Sequence, residues 1–62
     1  MPERVVATRI YTTQQGDTFP ALALWLYGSE VEAWRLIEWN PDHSGTLVFD
    51  GGVRLLVPVY EG

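Results

Sequence analysis

The sequence predicts a small α+β domain with the element order strand, helix, helix, strand. Two runs rich in β-branched and aromatic residues, 5–13 and 53–57, have the composition of strands. Two segments of helical periodicity lie between them, and each is followed by a helix stop signal. Because two strands alone make only a marginal hairpin, we expect a two-stranded antiparallel sheet with both helices packed on one face.

The first helix is predicted between the turn at residues 14–17 and Tyr27. Either Asp17 or Thr18 can serve as its N-cap, because both side chains can accept hydrogen bonds from the first free amides. Gly28 is expected to end this helix, since glycine adopts the left-handed conformation that terminates helices at no steric cost.

The second helix is predicted over residues 30–39. Ser29 and Glu32 have the spacing of a capping box, in which each side chain bonds the backbone amide of the other. Pro41 stops the helix, because the residue before a proline is disfavoured in the helical conformation. A loop then leads through a glycine pair into the second strand, which we expect Pro58 to end.

The composition excludes several classes of protein. A chain of 62 residues forms one domain, for which we expect a folded core over residues 5–60 and a tail at 1–4. It has no cysteine and one histidine, so neither disulfides nor an ordinary zinc cluster is predicted, and we expect no cofactor. A net charge of −4 disfavours nucleic acid, and no apolar run approaches the about 20 residues that span a membrane.

Both helices carry apolar residues on more than one side. In the first, the core stripe is predicted to be Phe19, Leu22, Ala23 and Leu26, opposite Ala21, Leu24 and Trp25. In the second helix, the stripe predicted to face inward is Ala33, Leu36, Ile37 and Asn40. The opposite, outward stripe is Val31, Arg35 and Glu38, and Trp34 and Trp39 lie on the two flanks between these stripes. We expect Trp34 to enlarge the core. Exposed tryptophan beside leucine is typical of protein interfaces, so an interface is predicted at Ala21, Leu24, Trp25 and Trp39.

No catalytic residue is predicted. Asp17, His43 and Ser44 have the residue types of a hydrolytic triad, but adjacent His43 and Ser44 are poorly placed for the hydrogen bond that a base and a nucleophile require. The carboxylates that could act on a glycoside include Glu32, expected in a cap, and Glu38, expected to face outward. A domain this small also lacks walls deep enough to exclude water, so we expect no enzyme.

Several short motifs follow one another along the chain: Gly16-Asp17-Thr18 after the aromatic strand residue Tyr11, then Leu22-Ala23, Tyr27-Gly28, Asn40-Pro41, and finally Gly52 with Leu55, Val57 and Pro58. Taken in this order, they resemble the motifs of the LysM domain superfamily, a βααβ module. They extend over residues 11–58, which is nearly the whole chain. The stand-alone length and the tryptophan-bearing helix before Asn-Pro-Asp are most similar to the phage tail protein X group of that superfamily.

This resemblance implies two alternative functions. The phage group implies a structural protein of a contractile tail or a related injection machine, which docks baseplate hub or inner-tube subunits and resides in the virion after assembly in the bacterial cytoplasm. LysM domains in general imply a groove for N-acetylglucosamine polymers such as peptidoglycan or chitin. By resemblance that groove is formed by Gly16, Asp17, Thr18 and Phe19 on one side and by Leu47, Val48 and Phe49 on the other.

Overall fold

The computed structural model describes residues 3–61 and confirms an α+β domain of the predicted order. Its elements are β1 (Arg4–Thr12), α1 (Phe19–Tyr27), α2 (Ala33–Trp39) and β2 (Arg54–Glu61), with 3₁₀ turns at Glu30–Glu32 and Pro41–His43. The two strands pair antiparallel, from Arg4 opposite Glu61 to Thr12 opposite Arg54, with a bulge between Val5 and Ala7. Helix α2 packs on β2, and α1 packs on α2, so the helices cover one face of the strand pair.

The core lies between the two helices and the inner face of β2. Its buried members are Phe19, Leu22, Ala23, Leu36, Phe49, Leu55 and Val57. The Phe19 and Phe49 rings meet edge to face with centroids 5.0 Å apart, which joins the start of α1 to the loop before β2. The predicted α1 stripe is therefore confirmed for its first three residues, while Leu26 packs at the core margin and is only partly buried.

Helix α1 is capped at both ends by local chemistry. The Thr18 hydroxyl accepts a hydrogen bond from the Ala21 amide at 3.2 Å, so Thr18 and not Asp17 is the N-cap. At the other end Gly28 has φ 82°, and its amide donates to the Leu24 carbonyl. The predicted ends of α1 are both confirmed because each depends on one residue that needs no distant partner.

Helix α2 begins three residues later than predicted, at Ala33, and the capping box is wrong. Ser29 makes no side-chain cap bond, and the Glu32 carboxylate instead accepts a hydrogen bond from Arg35 at 2.5 Å. Arg35, expected to face outward, is only 8% exposed, and Trp34, expected in the core, is 51% exposed. The two side chains exchange environments because Glu3 and Glu32 balance the Arg35 charge inside the fold.

Strand β2 continues through Pro58, contrary to the expectation that this proline ends it. Asn40 bonds both the amide and the carbonyl of Leu56 through its side chain, so these groups point away from β1. Because backbone groups in a strand alternate between its two edges, the Pro58 nitrogen, two residues after Leu56, also lies on the outer edge. A missing N–H at that edge removes no hydrogen bond between β1 and β2. The Pro58 carbonyl accepts a hydrogen bond from the Tyr27 hydroxyl at 2.7 Å.

The expected tail at residues 1–4 is partly ordered within the fold. Arg4 begins β1 and pairs with Glu61 at 3.2 Å, and the Glu3 carboxylate accepts a hydrogen bond from Arg35. The other two residues of the expected tail, Met1 and Pro2, lie outside the described residues.

Candidate functional site

Large apolar side chains cover much of the surface of this small domain. Those exposed are Val5, Val6, Ile10, Leu24, Trp25, Val31, Trp34, Leu47, Val48 and Leu56. Scattered exposed apolar residues are normal, but a neighbouring group of them that includes tryptophan is typical of a binding surface. The outer face of α1 carries such a group and is the candidate site.

The structure places three of the four predicted interface residues together on α1. Ala21 is exposed, Leu24 is 51% exposed, and Trp25 is 71% exposed. The fourth, Trp39, is partly buried at the end of α2 and does not line the groove beside Trp25. Sequence periodicity therefore locates the α1 residues correctly at the surface but does not bring Trp39 to them.

A groove of about 320 Å³ lies beside Trp25, between α1 and the end of β1. Its walls are Tyr11, Gln14, Asp17, Ala21, Leu22 and Trp25. The Trp25 and Tyr11 rings are tilted by 59° with centroids 5.9 Å apart, which is within the favourable range for an aromatic pair. The small side chain of Ala21 leaves the space between Trp25 and the loop open.

Asp17 fixes the aromatic wall of this groove. Its Oδ2 accepts hydrogen bonds from the Tyr11 hydroxyl at 2.6 Å and from the Gln14 amide at 2.9 Å. The bond to Asp17, together with burial, raises the pKa of the Tyr11 hydroxyl, which stays a neutral donor at physiological pH. Asp17 thus holds Tyr11, and Tyr11 supports Trp25. Sequence reasoning missed this role, although an aspartate three residues after Gln14 is a recognisable turn signal.

The structure also brings together the residues of the predicted glycan groove, but largely through their backbones. The Gly16 amide donates to the Phe49 carbonyl at 2.9 Å, and the Phe49 amide donates to the Asp17 carbonyl at 2.8 Å. Phe19 and Phe49 point into the core, and Thr18 caps α1. Of the large apolar side chains in this set, Leu47 and Val48, 84% and 61% exposed, remain at the surface.

A second concavity, of about 380 Å³, is lined by the buried Arg35 and shares no lining residue with the groove beside Trp25. The guanidinium bonds Glu32 and Glu3, and its carbon lies 4.1 Å from the Tyr60 ring centre and 4.7 Å from that of Trp34. Hydrogen bonds to Glu32 and then Glu3 raise the pKa of this guanidinium still further. Its charge is thus already paired, and the cluster is a structural clamp.

The residue types considered for catalysis do not assemble into a site. The Asp17 carboxylate is committed to Tyr11 and Gln14, the His43 ring packs against Phe49 at 5.8 Å, and no hydrogen bond links Asp17, His43 and Ser44. Across residues 3–61 there is no group of three or more side chains suited to bind a metal ion. Within the same residues no helix has the length and apolar character to cross a membrane.

Comparison of the chain with protein-family models, with curated proteins and with solved structures finds no match.

Proposed function

We propose that this chain is a non-enzymatic docking protein that binds a partner through the outer face of α1. The observation that carries the proposal is the 71% exposure of Trp25 beside the 51% exposure of Leu24, on a helix whose opposite side already fills the core. A helix that is apolar all round needs a second surface to cover it. Ala21 and the groove between Trp25 and Asp17 supply a recess for a partner side chain.

Trp25 has the properties of a binding anchor. An aromatic side chain buries roughly 150–250 Å² when fully covered. Covering the exposed part of Trp25 would contribute about 3–4 kcal/mol at roughly 25 cal/mol per Å². Tyr11 already orients the indole, so little side-chain entropy is lost on docking. Few interface residues contribute this much, and tryptophan is one of the residue types enriched among them.

The partner we propose is a baseplate hub or inner-tube subunit of a contractile phage tail or a related injection machine, with the chain residing in the virion. The support for this assignment is the ordered set of LysM-like motifs and their similarity to the phage tail protein X group. The observed strand–helix–helix–strand order and the turn at Gly16-Asp17-Thr18 are compatible with that resemblance.

Capture of purified hub and tube subunits by the domain tests the proposal. Trp25→Asp should weaken binding by about 100-fold or more, as the loss of 3–4 kcal/mol implies, while circular dichroism still reports a folded domain. Val31→Asp is the matched control, because Val31 is also exposed but lies outside α1. Unchanged binding by Trp25→Asp contradicts the proposal, and unfolding of that variant would make Trp25 a core residue.

Glycan binding is the second candidate, and one observation favours it. The groove combines two aromatic rings, Tyr11 and Trp25, with the polar groups of Gln14 and Asp17, a combination that can stack on a sugar ring and bond its hydroxyls. Amide NMR titration with N-acetylglucosamine oligomers distinguishes the two. Saturable chemical-shift changes of amides in this groove, or at residues 16–19 and 47–49, would indicate a glycan site. The absence of such changes at millimolar sugar would exclude glycan binding and favour protein docking.

A further inference from the structure

The backbone of β1 is open along one edge. In the part of the chain that the structure describes, β2 is the only element whose backbone approaches β1, and every β1 residue except Tyr11 is exposed. Exposed edges of this length are uncommon, because unpaired N–H and C=O groups on a strand are a template for another strand.

The pairing register identifies which backbone groups are free. Leu56 directs its amide and carbonyl away from β1, toward Asn40, so it forms a non-hydrogen-bonded pair with Ile10, and the corresponding groups of Ile10 point to the open edge. Thr8 and Thr12, two residues away on either side, have the same orientation. The Thr13 amide donates to the Val53 carbonyl at 2.8 Å, as this alternation requires.

The opposite edge of the sheet is already occupied. The Asn40 side chain bonds Leu56, the Tyr27 hydroxyl bonds the Pro58 carbonyl, and Pro58 itself has no N–H to offer. Strand addition to this sheet is therefore directed to β1.

Charge indicates the chemistry of the occupant. The two strands carry three arginines and one glutamate, whereas the rest of the chain carries one arginine and seven carboxylates. Among residues 3–61, Arg9 takes part in no ion pair, and its exposed side chain lies on the Tyr11 face of β1. A second copy added parallel and in register would bring Arg4 and Arg9 against their own counterparts, so this form of self-pairing is disfavoured.

We propose that β1 accepts an extended, acidic segment of a partner protein as a third strand. This inference deepens the proposed docking function and rests on it, because the added strand would run beside Tyr11 and the Trp25 groove. Acidic side chains of the segment would face Arg9, and its apolar side chains would lie next to Ile10 and Leu56, which are already exposed neighbours across the ladder.

A blocked heptapeptide with alternating valine and glutamate is the probe, added at millimolar concentration to the isotope-labelled domain. We expect hydrogen exchange of the Thr8, Ile10 and Thr12 amides to slow at least tenfold, with little change at Arg9 and Tyr11, which already bond β2. The same peptide with lysine in place of glutamate should bind at least tenfold more weakly. Equal binding of both peptides overturns the acidic occupant, and no change in exchange overturns strand addition.

Ile10→Pro removes the outward amide of the open edge without removing a ladder bond, and Ile10→Ala is its matched control. The proline variant should lose peptide binding and the alanine variant should keep it, with both folded by circular dichroism. Should the proline variant unfold, N-methylation of the peptide on its paired edge gives the same test on the unchanged domain. Dimerisation of the domain that Ile10→Pro abolishes would assign the edge to a second copy and overturn the proposal. Loss of hub or tube capture by Trp25→Asp, without loss by Ile10→Pro, retains the docking function and rejects strand addition.

Discussion

Replacing Asn40 by aspartate should strongly destabilise the domain at neutral pH, and acid should restore part of the lost stability. The Asn40 side chain is buried and makes three hydrogen bonds of 2.8 Å: its amide donates to the Leu36 and Leu56 carbonyls, and its oxygen accepts from the Leu56 amide. Asn40→Asp retains the acceptor but puts a second carboxylate oxygen against two carbonyl oxygens. The ionised carboxylate therefore cannot make the two donations by which the amide joins α2 to β2.

The loss can be bounded from these contacts. Two hydrogen bonds are removed, at about 1 kcal/mol each, and two buried carbonyls lose their donor beside a poorly solvated charge. The sum is about 3–5 kcal/mol, whereas a domain of this length has a total stability of roughly 3–9 kcal/mol. Asn40→Asp should therefore lower the free energy of unfolding by at least a third at pH 7.

The pH dependence gives the sharper result. Burial beside carbonyls raises the pKa of the introduced carboxyl above its unfolded value near 4, so stability is present below pH 4 and is lost as pH rises through the folded pKa. Urea unfolding followed by tryptophan fluorescence at pH 4 and pH 7 measures this difference. Gln15→Glu, an exposed amide-to-acid change, is the control and should alter stability by less than about 0.5 kcal/mol. A variant at position 40 within 1 kcal/mol of the parent at both pH values would refute the bridging role.

Three further predictions follow from other buried polar contacts. Arg35→Ala should lower the free energy of unfolding in urea by about 2–4 kcal/mol, because Glu3 and Glu32 lose their shared cation. The control Glu38→Ala, on the exposed side of the same helix, should lower it by less than about 0.5 kcal/mol, and equal losses would contradict the clamp. Thr13→Val should cost about 2–3 kcal/mol, since the buried hydroxyl accepts from the Val53 amide and donates to the Asp50 carbonyl; an unchanged melting temperature would exclude this role. Burial raises the pKa of Tyr27 to about 12, so the unfolded chain ionises first as pH rises, and stability should fall between pH 10 and 12 by up to about 1.4 kcal/mol per pH unit. Tyr27→Phe should reduce the slope of stability against pH, and an unaltered slope would assign the effect to another group.

The parts of the fold that are predictable from sequence depend on short-range chemistry. Thr18 and Gly28 delimit α1 through bonds within one turn, and the α1 stripe follows from helical period alone. The prediction for Pro58 is wrong because its tolerance depends on which strand edge its nitrogen faces. That orientation is set by the register of β2 against β1, which lies at the other end of the chain. The prediction for Arg35 is wrong for the same reason: its partners Glu3 and Tyr60 come from the two ends of the chain.

Part of the candidate site is likewise predictable from local sequence, and part depends on distant contacts. Periodicity places Leu24 and Trp25 at the surface, because the opposite face of α1 has a continuous apolar stripe. The support of Trp25 by Tyr11, and of Tyr11 by Asp17, depends on how the β1 end approaches α1 across a turn. No spacing rule relates a strand aromatic to a helical one, so the groove itself could be found only in three dimensions.

The register that places Arg4 opposite Glu61 also has a topological consequence. In an antiparallel pair such residues lie about 5 Å apart, so a linker of a few residues could join the two strands at this end. The exposed turn at Gly45 could then be cut to give a circular permutant in which β2 and β1 form a local hairpin. In the parent, the strands can pair only after the long segment between them has closed into a loop, which costs entropy. In the permutant this long loop is replaced by a short linker, so it should fold faster than the parent.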